Sequence, residues 1–370
     1  MRSHLLLLQF VRTIERWIRH RLHRGIAHVL PGPRAPARVP DWDARPYRVL
    51  ILRYDVIGDL VLSTGMLRQI ASVHPTLELD VLARTWVAPV LDGLPYVRQV
   101  IPFDCSATNR YPSLALLSRV RQQRYDVVVD GMSIRHSSPT SSLMFMVASG
   151  ARYRVGLSSA SNSFLYNLPV EPDRSRHHAE QSAVLARPFG LPLDGTDWRS
   201  QLVISAAERS AADSYWAGLG RGLRVFVNIS VTDSRNDWPD DRFVEVLRRL
   251  LARRGDVVVL VSGVASQADR IASVARAAGA HFSTQSLREV IARVATADLV
   301  LTPDTGIVHI AAAFNRPIVG LYRVDTQMWA PYHVPSRALH SDALVRALPL
   351  ERVSAALDDL LDEQFGSVKG

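Results

Sequence analysis

Cysteine is almost absent from this chain of 370 residues, in which Cys105 is the only thiol. A single thiol excludes an intrachain disulfide, a disulfide scaffold and a zinc site built from several cysteines. The expected compartment is therefore the reducing cytoplasm. The adjacent pair His177 and His178 has no third or fourth ligand near it in sequence, so we expect no metal ion, and we expect no other cofactor.

Long apolar runs are also missing, and lysine is almost absent. No stretch of eighteen apolar residues occurs, which argues against a membrane-spanning helix. Lys369 is the only lysine among 44 cationic residues, and the net charge of +9 is unevenly placed. Residues 1–46 carry nine arginines and three acids, a net charge of +6, so the other 324 residues carry only +3. Because a nucleic-acid enzyme is expected to spread positive charge over its cleft, we expect no nucleic-acid partner.

Residues 1–30 repeat apolar side chains at spacings of three and four, with arginines mostly on the opposite face. The pattern is typical of an amphipathic basic helix lying on an anionic membrane surface. It is equally typical of a helix packed on the protein's own body or on a second subunit, and the sequence leaves both open. Five prolines between positions 31 and 46 then predict a stiff linker. With a membrane-bound helix, the protein would be peripheral on the inner face of the cytoplasmic membrane.

From Arg48 the chain alternates short β-branched runs with helical patterns, which predicts an α/β fold with parallel sheets. One series of strands lies between positions 49 and 130 and a second between 225 and 321. Two series predict two Rossmann-like domains. We place them at residues 47–205 and 206–370, after the N-terminal segment 1–46. Ligands of such folds bind at the carboxyl ends of the strands, so we expect the two sheets to face each other across a cleft.

Asp59 follows Gly58 just after the first predicted strand and opens a helix that points into the cleft. A carboxylate at this place could act as a general base toward an attacking hydroxyl. It could equally be an N-cap or a first-turn acid that interacts with the helix dipole. The residues alone do not decide between the two.

A second motif runs from Asp304 through Thr305 and Gly306 to His309, between a predicted strand and a predicted helix. Main-chain N–H groups at Thr305, Gly306 and Ile307, together with the helix dipole, would bind a diphosphate, and His309 could add a donor. The alternative makes Asp304 an N-cap and His309 a half-buried structural histidine. We favour phosphate binding because cap, glycine and histidine all lie at one strand end.

Two further sites are weaker. Thr232 and Arg235 follow a strand and precede Trp238-Pro239, and a hydroxyl with a cation suits a phosphate. Taken alone, however, this stretch is better explained as an ordinary polar loop. Arg135, after the fourth strand, could meet an anionic acceptor, although a solvated loop residue is the simpler interpretation.

These three stretches, in this order, resemble the heptosyltransferases of bacterial lipopolysaccharide, glycosyltransferase family 9, over roughly Arg48 to Tyr332. The resemblance implies a GT-B arrangement of two Rossmann-like domains. It also implies an inverting, metal-independent transfer of heptose from a nucleotide sugar, ADP-heptose, to a lipid-linked glycan such as the lipopolysaccharide core. By this resemblance, Asp59 would be the base, and the donor would be held by Asp304, Thr305, Gly306 and His309. Arg53 stands where the family usually has lysine. Arg53 and Gly58 would be acceptor-site or supporting residues.

The chain departs from this family at two places. The family commonly has a cation two positions before the Trp-Pro pair, where Asn236 stands here with Arg235 beside it. The family often has Gly-x-Glu after the second strand of the second domain, where Gly263 is followed by Val264 and Ala265. A different nucleotide sugar, or a non-catalytic nucleotide-sugar-binding or scaffolding protein of this fold, therefore stays an alternative. A nicotinamide-dependent oxidoreductase is disfavoured because no Gly-x-Gly-x-x-Gly follows a first strand.

The basic N-terminal segment leads to a first prediction. Deleting residues 1–40 is expected to leave a folded protein whose binding to anionic vesicles is weakened, and full-length binding should fall as salt screens the charges. Vesicle co-sedimentation of both forms at low and high salt measures this. Unchanged binding after the deletion would contradict a role of the segment at membranes.

Overall fold

The structure is a computed structural model that describes residues 21, 25, 36–104, 111–132, 139–159 and 163–366. The helix predicted over residues 1–30 lies outside the described residues except at two positions, and Arg135 also lies outside them. Within the described part of the chain, no helix is both long enough and apolar enough to cross a bilayer.

The first sheet has six parallel strands in the order β3-β2-β1-β4-β5-β6. Apart from Arg48 and Asp130 at their ends, the central strands β1 and β4 are apolar, and they are almost fully buried, as expected where helices cover both faces of a parallel sheet. The elements are β1 (Arg48–Leu52), α1 (Ile57–Val73), β2 (Glu78–Ala83), β3 (Val97–Pro102), α2 (Leu114–Gln122), β4 (Val127–Asp130), α3 (Thr140–Ser149), β5 (Tyr153–Leu157), β6 (Leu168–Val170) and α4 (His178–Ala183).

The second sheet is also parallel and has the order β12-β11-β10-β7-β8-β9. Its helices are amphipathic and pack their apolar faces on it, with Phe243 and Leu247 of α6 fully buried. The elements are α5 (Ala206–Leu219), β7 (Leu223–Asn228), α6 (Asp240–Arg253), β8 (Val257–Gly263), α7 (Ala268–Ala278), β9 (His281–Thr284), α8 (Leu287–Ala295), β10 (Leu299–Pro303), α9 (Gly306–Ala313), β11 (Ile318–Arg323), β12 (Ser336–Ser341) and α10 (Leu350–Phe365).

In both sheets the strand order reverses beside the first strand, between β1 and β4 and between β7 and β10. Such a reversal opens a crevice at the carboxyl ends of those strands, which is where open α/β sheets bind ligands. The α/β class and the two Rossmann-like parallel sheets are thus confirmed. The boundary between residues 205 and 206 stays a prediction, and the strands of the two sheets lie on either side of it.

The end of the proline-rich segment is packed on the first domain instead of separating from it. The main-chain N–H of Ala37 donates to the carbonyl of Asn167 at 2.7 Å. Trp42 is buried, stacks on Phe189 with ring centroids 4.8 Å apart, and donates from Nε1 to the carbonyl of Pro188 at 2.7 Å. The stiff linker predicted up to residue 46 is therefore shorter, and a deletion of residues 1–35 tests the basic segment without removing these contacts.

Gly65, in the middle of α1, allows a close approach of the segment that follows the first sheet. A Cβ at this position would lie 2.2 Å from the carbonyl oxygen of Trp198 and 2.9 Å from that of Arg199. Both neighbours are main-chain atoms, which cannot move aside as a flexible side chain could. The absence of a side chain at Gly65 therefore determines how tightly this segment packs on α1.

We predict that Gly65→Ala lowers the free energy of unfolding by about 1–3 kcal/mol, because overpacking outweighs the roughly 1 kcal/mol by which alanine favours a helix. Gly218→Ala is the matched control, since Gly218 is exposed near the end of α5 and has nothing within 4 Å of its Cβ position. The control should be neutral or slightly stabilising. Urea unfolding of both variants measures this, and equal stabilities would contradict the packing argument.

Candidate active site

The turn between β1 and α1 presents Asp59 at the carboxyl edge of the first sheet. Asp59 lies in the first turn of α1, whose N-cap position is Val56 and carries no side-chain cap. The carboxylate is almost fully buried, and its Oδ1 lies 3.1 Å from Nε2 of His178. Asp59 is therefore not an N-cap, although its place in the first turn still lets it interact with the helix dipole.

Arg53 lies beneath this turn and binds its main chain. The guanidinium donates to the carbonyl of Asp59 from Nη2 at 3.0 Å and to that of Gly131 from Nη1 at 2.7 Å. Nη1 also lies 3.2 Å from the carboxylate of Asp55, and both side chains are buried. These are the contacts of a supporting residue, one that positions Asp59, and not those of a residue that faces an acceptor.

The second element of the site is the turn between β10 and α9. Thr305 is the N-cap of α9, and its Oγ1 accepts from the main-chain N–H of Ile307 at 3.3 Å. Asn228, at the end of β7, donates from Nδ2 to Oγ1 of Thr302 at 3.1 Å and to Oγ1 of Thr305 at 3.3 Å. The cap is therefore Thr305 and not Asp304. Of the three N–H groups predicted to bind an anion, that of Ile307 is already paired.

The two helix starts touch each other across the domains at a pair of glycines. A Cβ on Gly58 would lie 2.7 Å from Cδ2 of His309 and 3.6 Å from Cα of Gly306. A Cβ on Gly306 would lie 2.8 Å from Cγ2 of Ile57 and 3.3 Å from the main-chain nitrogen of Gly58. Only glycine permits this approach on either side. The structure thus brings the neighbour of Asp59 into contact with the predicted phosphate site.

His309 lies inside this contact and is almost fully buried. Burial lowers the pKa of His309 to about 3, the neighbouring His177 acts in the same direction, and the charge of Asp59 opposes them. The imidazole is therefore neutral at physiological pH. Its Nδ1 has no hydrogen-bond partner among the residues that the structure describes. His309 can thus offer one neutral N–H or one lone pair to a ligand, but no charge.

The sequence-based reasoning missed the role of the histidine pair. His178 stacks on Trp329, with ring centroids 4.8 Å apart, while its Nε2 faces Asp59. His177 pairs through Nε2 with the carbonyl of Ala330 at 2.8 Å and packs on the ring of Tyr332 at 4.6 Å. The partners lie about 150 residues away in sequence, so no local signal could have revealed that both rings bridge the two domains.

The loop after β7 carries the two weaker donor-site candidates, Thr232 and Arg235. Thr232 is exposed, and the guanidinium of Arg235 is bound by the carboxylate of Asp233 through hydrogen bonds of 2.6–3.0 Å. Asn236 is buried instead, and its Nδ2 donates to the carbonyl of Asp304 at 3.4 Å. The charge of Arg235 is therefore paired with the carboxylate of Asp233 in the same loop.

Arg323, a cation that was not among the predicted site residues, contacts the side-chain oxygen of Asn236. Nε of Arg323, at the end of β11, donates to Oδ1 of Asn236 at 3.0 Å. A signal was present in the sequence, because Arg323 follows a buried strand directly, but nothing there shows that it lies beside the loop after β7. Asn236 thus connects Arg323 to the carbonyl of Asp304, which immediately precedes Thr305.

One family model covers the motif residues of the second domain and the later part of the first domain. The model of glycosyltransferase family 9 (heptosyltransferase) matches residues 113–347, which is more than half of the chain. The chain belongs to glycosyltransferase family 9. It is therefore a glycosyltransferase of the heptosyltransferase type, and the resemblance read from the three motifs is confirmed.

Individual relatives are distant but cover most of this glycosyltransferase. The lipopolysaccharide core heptosyltransferase OpsX of Haemophilus influenzae is 22% identical over 306 residues, which cover 80% of this chain and 84% of that protein. The structure of a family 9 glycosyl transferase from Veillonella parvula matches with a TM-score of 0.77 at 19% identity, over 88% and 100% of the two chains. Escherichia coli heptosyltransferase WaaC with ADP matches with a TM-score of 0.66 at 19% identity, over 86% and 99%. The GT-B fold is thereby confirmed.

The neutral His309 of the glycosyltransferase should make its stability depend on pH. Between pH 6.5 and about 3 the unfolded chain binds a proton at His309 that the folded protein does not. This contribution to stability is complete above pH 6.5 and is lost as pH falls, by up to about 2 kcal/mol at pH 5. His309→Gln keeps a neutral polar side chain, so it should lose less stability than the wild type between pH 7 and pH 5. Urea unfolding at both pH values measures this, and identical losses would show that His309 is not held neutral.

Proposed function

We propose that this glycosyltransferase moves a heptose from ADP-heptose to a lipid-linked glycan acceptor, the lipopolysaccharide core. Support comes from the family and from the names of relatives such as OpsX, a lipopolysaccharide core heptosyltransferase. ADP in the structure of the E. coli heptosyltransferase supports the nucleotide. We further propose that the reaction inverts the anomeric centre and needs no metal ion.

The observation that carries the proposal is the contact between the two helix starts. Gly58 of the first domain contacts the start of α9, where the Thr305–Gly306 turn of the second domain lies. Asp59, the residue after Gly58, carries a buried carboxylate. A nucleotide sugar whose diphosphate is held at that turn would have its anomeric carbon beside Asp59. A base and a leaving-group site are then on opposite sides of one reacting carbon.

In the proposed mechanism, Asp59 takes the proton of the acceptor hydroxyl as the hydroxyl oxygen bonds to the anomeric carbon. The bond between that carbon and the diphosphate oxygen breaks, and its electron pair leaves with the ADP. A single displacement of this kind inverts the anomeric centre. The start of α9 stabilises the negative charge that develops on the diphosphate, through its main-chain N–H groups and its dipole.

The roles of the other site residues follow from their positions. Thr305 and Gly306 would hold the diphosphate, His309 would add a neutral donor, and Asp304, on the strand side of the turn, would face the sugar. His178 would orient the carboxylate of Asp59, since its Nε2 lies 3.1 Å from Oδ1. Because His178 also stacks on Trp329 of the second domain, this orientation depends on the contact between the domains.

We also propose that residues 1–30 bring the enzyme to an anionic membrane surface, as a peripheral protein on its cytoplasmic face. The support is the net charge of +6 on residues 1–46 and the apolar helical spacing within that segment. A lipid-linked acceptor lies at a membrane, so this placement would raise its concentration at the cleft.

The decisive variant is Asp59→Asn, which keeps the shape of the side chain and removes the base. The value of kcat should fall by about 10² to 10⁴ while the affinity for ADP barely changes, since a general base acts in the transition state. Steady-state transfer from ADP-heptose and calorimetric titration with ADP separate the two effects. The rise of kcat with pH that reports a carboxyl group in the wild type should also disappear in the variant.

Glu351→Gln is the matched control, because Glu351 is also a first-turn acid but is exposed on α10, where it lies near Arg249 of α6. It should leave kcat unchanged. A loss of less than about tenfold in Asp59→Asn would make Asp59 a residue that only stabilises its helix. Nucleotide binding without any transfer by the wild type would favour the non-catalytic binding protein instead.

A further inference from the structure

We propose that Arg84 binds an anionic group, a carboxylate or a phosphate, on the glycan acceptor. The inference rests on the proposed function, because it assumes that a glycan acceptor meets Asp59 at the carboxyl edge of the first sheet. Arg84 is the first residue after β2, the strand that pairs in parallel with β1. The two strands end side by side at this edge, where the main-chain N–H of Arg53 donates to the carbonyl of Leu82 at 2.9 Å.

Both the side chain and the main chain of Arg84 are held at this edge. Nε of Arg84 donates to the carbonyl of Tyr54, in the turn between β1 and α1, at 2.9 Å. The carbonyl of Arg84 accepts from the main-chain N–H groups of Val87 and Ala88 at 2.9 and 2.8 Å. The Nη groups make no hydrogen bond with any residue that the structure describes, so they are the donors left for a ligand.

Arg84 differs from Arg53, the other arginine at this turn. Arg53 is 2% exposed and lies 3.2 Å from the carboxylate of Asp55, so its charge is both buried and offset. Arg84 is half-buried, and no carboxylate in the described part of the chain forms an ion pair with it. The charge of Arg84 can therefore act on a ligand at the surface of the cleft.

The charges of the turn make such a cation necessary for an anionic acceptor. Asp55 and Asp59 are both buried carboxylates of the segment between β1 and α1. An acceptor that carries negative charge would be repelled by them unless a positive charge lies beside it. A guanidinium suits carboxylates and phosphates alike, because its paired N–H donors match two oxygens. The position of Arg84 therefore favours an anionic acceptor over a neutral one.

An exposed aromatic ring lies two residues further along the chain. Trp86 is 53% exposed, although tryptophan side chains are highly buried on average. The same segment reaches the second domain, since Nη1 of Arg288 in α8 donates to the carbonyl of Pro89 at 3.1 Å. Ligand sites at domain interfaces are commonly lined by aromatic side chains with a few polar groups. Arg84 and Trp86 thus offer one charged contact and one apolar contact to a glycan.

The test is steady-state transfer from ADP-heptose to a heptose-deficient lipopolysaccharide core in three forms: untreated, dephosphorylated and carboxyl-reduced. With the untreated acceptor, Arg84→Gln should lower kcat/KM about 10- to 100-fold, chiefly by raising the acceptor KM. The affinity for ADP, measured by calorimetry, should stay at the wild-type value. Removal of the group that Arg84 binds should abolish the difference between variant and wild type. The acceptor form on which the difference disappears therefore distinguishes a phosphate from a carboxylate.

Further variants separate the loss of this contact from other effects. Trp86→Ala should lower kcat/KM by a similar factor for all three acceptor forms, because packing on a ring requires no charge. Arg249→Gln is the control for the loss of one charge and should leave kcat/KM unchanged, because Arg249 lies exposed on α6 and pairs with Glu245 of the same helix. Melting temperatures show whether each variant is folded.

Salt gives a measurement that needs no variant. The wild-type KM for the untreated acceptor should rise with salt concentration, and it should rise less for the form that lacks the bound group. If Arg84→Gln does not fold, this measurement decides, since an equal rise for all three forms would overturn the proposal.

Wild-type kcat/KM in a folded Arg84→Gln would also overturn the proposal. An equal loss for all three acceptor forms would do the same, because the effect would then not involve an anionic group. If the wild type transfers no heptose to any of the three forms, the proposed function fails. Transfer by the wild type together with an unaffected Arg84→Gln defeats only this inference, so the two failures are distinguished.

Discussion

The close contact between two helix starts is the constraint on which the rest of the site depends. Gly58 at the start of α1 and Gly306 at the start of α9 lie so near each other that a Cβ on either would meet atoms of the other domain within 3 Å. Packed side chains continue this contact, since Leu60 of α1 and Ile310 of α9 belong to one apolar cluster. The carboxyl edges of the two sheets, where α/β folds bind ligands, are thereby brought together.

Two buried charged side chains near this contact, Arg53 and Asp59, lie beside groups that offset their charge. Arg53 would be costly to bury alone, but it lies beside Asp55 and donates to two main-chain carbonyls that shape the turn before α1. Asp59 has His178 beside it, and His178 has the ring of Trp329 behind it. The carboxylate that we propose as the base is thus held by residues of both domains.

Near the proposed phosphate site, His309 is neutral and the carboxylate of Asp233 is paired with Arg235. Burial keeps His309 neutral, so that it contributes a polar atom at the interface without repelling or attracting charge strongly. The pKa of Asp233 is held low by its hydrogen bonds with Arg235 and, more weakly, by the charge of Arg323.

Local patterns were enough to predict the long central elements. β1, β4 and β7 each contain a run of apolar residues, many of them β-branched, and these runs lie within the two predicted series of strands; α6 has a regular apolar face. Strands β5, β6 and β12 lie outside the two predicted series. β6, for example, has only three residues, which are too few to show a clear alternation. Asp59, Thr305 and Gly306 were found because each lies at a strand end that a linear motif marks.

By itself, the sequence determined the α/β class, the two parallel sheets and the residues at the two strand-to-helix turns, since all of these depend on neighbours along the chain. Only the tertiary structure decided which distant side chains complete the site. His178 reaches Asp59 and Trp329 across 119 and 151 positions, and Arg323 reaches Asn236 across 87. Such pairs are created by the packing of one sheet edge against another, and a linear pattern contains no record of that distance.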